Sequence, residues 1–157
     1  MPYYFYKAVK AMHMKPQNSV MFGTWTGIML GGLDPSNRNA FGGATVSAAA
    51  ATGRALSADD ATGVGQCLTG SQDYAEGYCT SSSHVLLRIT LEDSDLKILV
   101  KSAASRTKFD SMTEAVDATE CTAIAVIAAD KIEYMTEDDE WKPISQFANP
   151  PAKDFDE

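Results

Sequence analysis

Glu120 stands at the head of an apolar run, "ECTAIAVIAADKIEYM". A carboxylate at such a place either marks where a strand leaves solvent or is held by the strand for chemistry. A fixed carboxylate stabilises positive charge that develops in a transition state. A strand suits that task, since a misplacement of about 1 Å sharply lowers a rate. Two other places carry groups of use. Lys7 follows an aromatic run in "YYFYKAV", an inward-pointing cation on an early strand. Thr69 and Ser71 lie in "CLTGSQDYAEGYC", a hydroxyl-bearing segment followed by Tyr74 and Tyr78. Bland readings stand beside these: a solvated lysine, hydroxyls that cap a turn, a strand-end acid. Glu114, in "SMTEAV", is the rival carboxylate, expected on a less rigid helical turn.

The elements that must position these groups follow from local pattern. "YYFYKAV" is aromatic and β-branched enough for a strand. "SVMFGTWTGIML" reads as a helix capped by Ser19, weakened by two glycines and two threonines. From Gly31 to Gly70 the chain is rich in Gly and Ala and cannot build a core alone. It reads as surface loop and short helix, of the kind that covers a site. Ser71 caps a short helix. "HVLLRITL" is the clearest strand and "LKILVKS" the next; "CTAIAVIA" and "KIEYM" complete the set. The sum is roughly five or six strands and two to four short helices, an α+β pattern.

Length and composition bound the function. A chain of 157 residues fits one domain, taken as residues 1–147, with a Pro-containing acidic tail at 148–157. The 13 basic against 21 acidic residues give a net charge of −8, which argues against gripping a phosphate backbone. No run approaches the roughly 18 apolar residues of a membrane span. The N-terminus lacks a basic start and apolar middle, so a cytoplasmic chain, or one secreted without a classical signal, is expected. Three cysteines, Cys67, Cys79 and Cys121, without CxxC and with two histidines, give no metal site. A Cys67–Cys79 pair stays open, with reduced thiols the expectation. There is no GxSxG, P-loop, HExxH or GxGxxG after a strand.

The order of the three pieces, "FYKAV", "CLTGS" and "ECTAIAVIAADKI", resembles the ADP-ribosyltransferase toxin superfamily of the cholera type. "GGLDP" (residues 31–35) is similar to a Gly-Gly-Leu stretch of that family. The resemblance touches most of residues 3–134 through short pieces. It implies an α+β fold with a mixed, split β-sheet and short helices. It also implies NAD as substrate, a catalytic Glu120, and NAD-binding roles for Lys7, Thr69, Ser71 and Tyr74. Carboxylates of this kind stabilise the oxocarbenium ion formed when the nicotinamide–ribose bond breaks, and cations hold the phosphates. The family's usual cation is arginine, a two-pronged donor where Lys7 is a point charge. Ala118 stands where arginine-modifying relatives carry a second acid, which points to another acceptor or to NAD hydrolysis. A toxin or effector of this class implies a protein target and a neutralising immunity protein. The alternative is a non-catalytic acidic binding module, such as an immunity or adaptor protein. An enzyme using Cys121 or Cys67 as nucleophile is a third reading, with no spacing behind it.

Overall fold

The computed structural model describes residues 2–11, 14, 17–19, 23–25, 27–33, 66–79, 84–102 and 107–147. Most of the Gly/Ala-rich segment, His13 and the 148–157 tail lie outside the described residues. Strand β1 is Tyr3–Lys10, followed by a hairpin of β2 (Gln17–Ser19) and β3 (Gly23–Trp25) and by helix α1 (Ile28–Gly31). Then come β4 (Gln66–Leu68), α2 (Gln72–Glu76) and β5 (His84–Leu91). A 3-10 turn over Asp93–Ile98 leads into β6 (Leu99–Val100), then α3 (Met112–Asp117) and β7 (Cys121–Ala123). The chain continues with β8 (Ile132–Met135) and β9 (Trp141–Pro143).

The described strands divide among a four-stranded sheet, β1-β5-β8-β9, a three-stranded sheet, β4-β7-β6, and the two-stranded β2-β3 ribbon. This is an α+β architecture. All described strand pairs are antiparallel, so the parallel component of a mixed sheet is not among the described residues. The two main sheets are joined by a bridge between Tyr6 and Thr69. Tyr6 N–H donates to the Thr69 carbonyl at 2.7 Å, and Thr69 N–H to the Tyr6 carbonyl at 3.1 Å.

Side-chain alternation builds two cores from the four-stranded sheet. One face presents Phe5, Val9, Val85, Leu87, Ile89, Leu91, Ile132 and Tyr134. These pack with Leu68, Leu99, Cys121 and Ala123 of the three-stranded sheet and with Met112 and Ala115 of α3. The other face presents Leu86 and Met135 to Ala75 and Cys79, at and just beyond α2. Each fully buried Leu, Ile or Phe contributes about 1.5–3 kcal/mol, so the larger cluster dominates. The apolar character of "HVLLRITL" follows: this central strand is covered on both faces.

Three expectations differ from the structure, each for a local reason. The segment from Ser19 forms a hairpin and only one helical turn, because the helix begins after Gly27, whose φ of 85° is a left-handed conformation. "LKILVKS" turns as a 3-10 helix before it extends. Its start is fixed by a capping box in which Glu92 and Asp95 bond each other's backbone N–H. "CTAIAVIA" is a strand only over Cys121–Ala123, because Ile127 leaves the sheet to exchange backbone bonds with Leu33. Gly32 beside that bridge has φ 72°, and a Cβ there would lie 2.0 Å from the Ile127 carbonyl oxygen. Ser71 caps α2, accepting from Tyr74 N–H, as its position in sequence suggests. Among the described residues no helix is long and apolar enough to cross a membrane.

The outer face of the large sheet carries a cross-strand staple. Arg88 Nε and Nη2 donate to Glu133 Oε1 at 3.0 and 2.8 Å. The guanidinium carbon lies 4.7 Å from the ring centres of both Tyr4 and Trp141. One side chain thus touches β1, β8 and the three-residue edge strand β9. Each cation–π contact contributes about 0.5–1 kcal/mol and the half-exposed ion pair less than about 1 kcal/mol. Arg88→Ala is expected to cost about 1–3 kcal/mol in urea unfolding. Arg88→Lys should recover less than half of that loss, since an ammonium cannot stack as a plane.

Candidate functional site

The three sequence pieces meet at one end of the small sheet. In that sheet β7 is central, with β4 on one side and β6 on the other. Leu68 pairs with Cys121, so the next residues at that end are Thr69, just after β4, and Glu120, just before β7. Thr69 is also bridged to Tyr6, the neighbour of Lys7. The hydroxyl segment therefore lies between the opening strand and the glutamate.

The turn carrying the hydroxyls is tightly held. Thr69 Oγ1 accepts from Ser71 N–H at 3.0 Å, and Ser71 Oγ accepts from Tyr74 N–H at 3.2 Å. Both hydroxyls act here as local caps. Gly70 between them lies against α3, where an added Cβ would be 2.2 Å from the Val116 carbonyl oxygen. That close approach sets the start of α2 directly against α3, the helix that delivers Glu120.

Glu120 is exposed and lines a hollow of about 550 Å³ with Lys101, Phe109, Glu114, Asp117 and Ala118. It follows Thr119, which sits at φ 67°, a left-handed conformation that is costly for a β-branched residue. Strain of this kind costs about 1–3 kcal/mol and is held only by surrounding structure. The Glu120 N–H donates to the Ala118 carbonyl at 2.7 Å, closing the turn. Glu114, the rival carboxylate, lines the same hollow from α3, and its Oε1 accepts from Asp110 N–H at 2.8 Å.

Tyr74 reaches this end of the sheet from α2. Its hydroxyl and that of Tyr78 lie 3.2 Å apart, with ring centres at 5.5 Å and planes at 72°. Tyr78 is 56% exposed. The Tyr74 phenol is pushed up to about 12, first by its bond to Tyr78, then by desolvation and by the negative charge of Glu120. Tyr74 is therefore a neutral donor next to the carboxylate at any physiological pH.

Lys7 occupies a different position from an exposed phosphate clamp. Only 5% exposed, it points into the space between the two sheets, where Nζ donates to the Cys67 carbonyl at 3.0 Å. Burial lowers its pKa from the ordinary 10.5 to about 8, against a smaller opposing influence of Cys67. The glutamate and the lysine are thus not presented in one opening: one lies at the surface and the other beneath the hydroxyl segment. None of the three cysteines is in a disulfide. The Cys121 thiol is pushed up to about 12, chiefly by burial, so at neutral pH it is a protonated core group and a poor nucleophile.

Lys101 and Phe109 complete the hollow and have no motif-level signal in the sequence. Lys101 sits at the end of the expected "LKILVKS" strand, and only the pairing of β6 with β7 brings it beside Glu120. No family model, curated protein or solved structure matches this chain.

The buried ammonium makes stability depend on pH. Below about pH 8 the folded state holds a charged Lys7 in a dry site. Between about 8 and 10.5 it is neutral when folded but still protonated when unfolded. The unfolded state binds more protons in that window, so this residue's contribution to stability rises with pH. Tyr74 and Cys121 act in the opposite sense at higher pH, and a comparison with Lys7→Met isolates the lysine. The unfolding free energy of the native chain should gain on that variant by up to about 3 kcal/mol from pH 7.5 to 10.5. A constant difference between the two would show that Lys7 keeps an ordinary pKa.

Proposed function

We propose that the protein is an NAD-dependent ADP-ribosyltransferase or NAD glycohydrolase, acting as a toxin or effector, with Glu120 as its catalytic carboxylate. The observation that carries this reading is the junction at Thr69, which is bridged to β1 on one side and continues the strand paired with the Glu120 segment on the other. The three pieces that are far apart in the sequence are thereby neighbours through strand pairing, with Glu120 the one of them that lines the hollow.

In this reading NAD lies over the Thr69–Ser71 turn with its nicotinamide ribose at Glu120. The C1′–N bond breaks and its electron pair leaves with neutral nicotinamide. The carboxylate opposes the positive charge developing on the ribose and fixes its hydroxyls. An acceptor group or water then forms the new bond to C1′ and releases a proton. Tyr74, neutral and beside Glu120, orients the carboxylate or meets the nicotinamide face, and Thr69 and Ser71 set the turn against which the ribose rests. Lys7 acts from below by holding the Cys67 carbonyl and so the course of β4. A hollow of about 550 Å³ lies within the roughly 300–1,000 Å³ range of small-molecule sites. The acceptor would be a group other than arginine, given Ala118, or water. A toxin of this kind requires a target protein and a neutralising partner in the producing cell.

The inward orientation of Lys7 favours a second reading, a non-catalytic binding module that uses exposed Tyr74 and Tyr78 among carboxylates. NAD consumption separates the two. The purified chain should release nicotinamide, and Glu120→Gln should lower the rate about 10²–10³-fold, the usual loss for one preorganised electrostatic group. Glu114→Gln should lower it less than tenfold. Expression inside bacteria should arrest growth with the native chain and not with Glu120→Gln. A native chain that neither binds nor cleaves NAD would leave the binding-module reading.

A further inference from the structure

We propose that Lys101, on the side of β7 opposite Thr69, is the residue that holds the pyrophosphate of the dinucleotide. The inference rests on the reading of the hollow as an NAD site. A dinucleotide brings two phosphate charges, and the carboxylates of this hollow, partly buried Glu114 and exposed Asp117 and Glu120, repel them. A cation must offset that repulsion. Lys7 is not presented for the task, since its Nζ is buried against the Cys67 carbonyl. Arg88 is engaged with Glu133 and stacked between Tyr4 and Trp141, and Lys131 bonds Asp95 at 3.2 Å.

Lys101 lines the hollow itself. Val100 pairs with Thr122, which brings Lys101 to the same end of the small sheet as Glu120 and Thr69. The three residues then stand next to the ends of adjacent strands in the order hydroxyl, carboxylate, cation. Lys101 is exposed and forms no ion pair with a described residue. Its Nζ lies 5.9 Å from the centre of the Phe109 ring, a loose cation–π contact between two residues that both line the hollow. The backbone beneath is fixed, with Lys101 N–H donating to the Thr107 carbonyl at 2.8 Å. A point charge on a braced strand end is suited to phosphate, as lysines are elsewhere.

Calorimetric titration with NAD and with nicotinamide riboside, which lacks the pyrophosphate, tests the assignment on the full chain. Lys101→Ala should weaken NAD at least tenfold and nicotinamide riboside less than twofold. Lys101→Arg should restore NAD binding to within about threefold, which loss of a merely structural group would not allow. Equal NAD affinity in the native chain and Lys101→Ala overturns the proposal, as does equal weakening of both ligands. A native chain that does not bind NAD overturns both this assignment and the functional reading. Binding that depends on Lys101 without nicotinamide release sustains the assignment and removes only the catalytic claim.

Discussion

Two backbone hydrogen bonds between Tyr6 and Thr69 join the large sheet to the small one, and the geometry of the candidate site follows from them. Each contributes on the order of 1 kcal/mol net, modest in energy but decisive in position. Without this junction β4 would have a partner only in β7, and the hydroxyl turn would have no fixed relation to β1. With it, the order β1, Thr69, Glu120 is set by main-chain contacts, which side-chain changes at the surface do not alter.

Beneath that junction the chain accepts an unfavourable element. A lysine between two sheets loses hydration and receives one carbonyl in return, which is why its pKa falls to about 8. An apolar residue of similar length would fit the surroundings, which include Phe5 and Val9 on the same face of β1. The lysine instead supplies a donor to the carbonyl of Cys67, two residues before Thr69. Thr119 is a second local cost, a β-branched residue at positive φ directly before Glu120. Of the two, only the Thr119 strain adjoins Glu120; the Lys7 cost falls beneath the hydroxyl turn.

The opposite face of the large sheet behaves differently. Arg88, Glu133, Tyr4 and Trp141 satisfy one another across four strands, and their contacts are explained by holding a short edge strand. The contrast with the hollow is physical. There, Asp117 and Glu120 face solvent with no described cation bonded to them, so that surface has unspent charge while the Arg88 cluster has none.

Much of the local structure was legible in the sequence, because it depends on neighbours in the chain. The aromatic run of β1, the apolar run of β5 and the Ser71 cap each read directly from residue type and spacing. The reading failed where distant segments compete: the hairpin at 17–25, the 3-10 turn at 93–98 and the early end of β7, where Ile127 bonds Leu33 in place of a sheet neighbour. The sequence alone determined which residues could carry chemistry, Glu120 with its hydroxyl and aromatic companions, since charge and hydrogen-bonding capacity belong to the side chain itself. Tertiary structure alone decided that Lys7 is buried against the Cys67 carbonyl and that Lys101 lines the same hollow as the glutamate. Which way a strand residue faces, and which strand it neighbours, are fixed by long-range pairing register, and no local pattern encodes that.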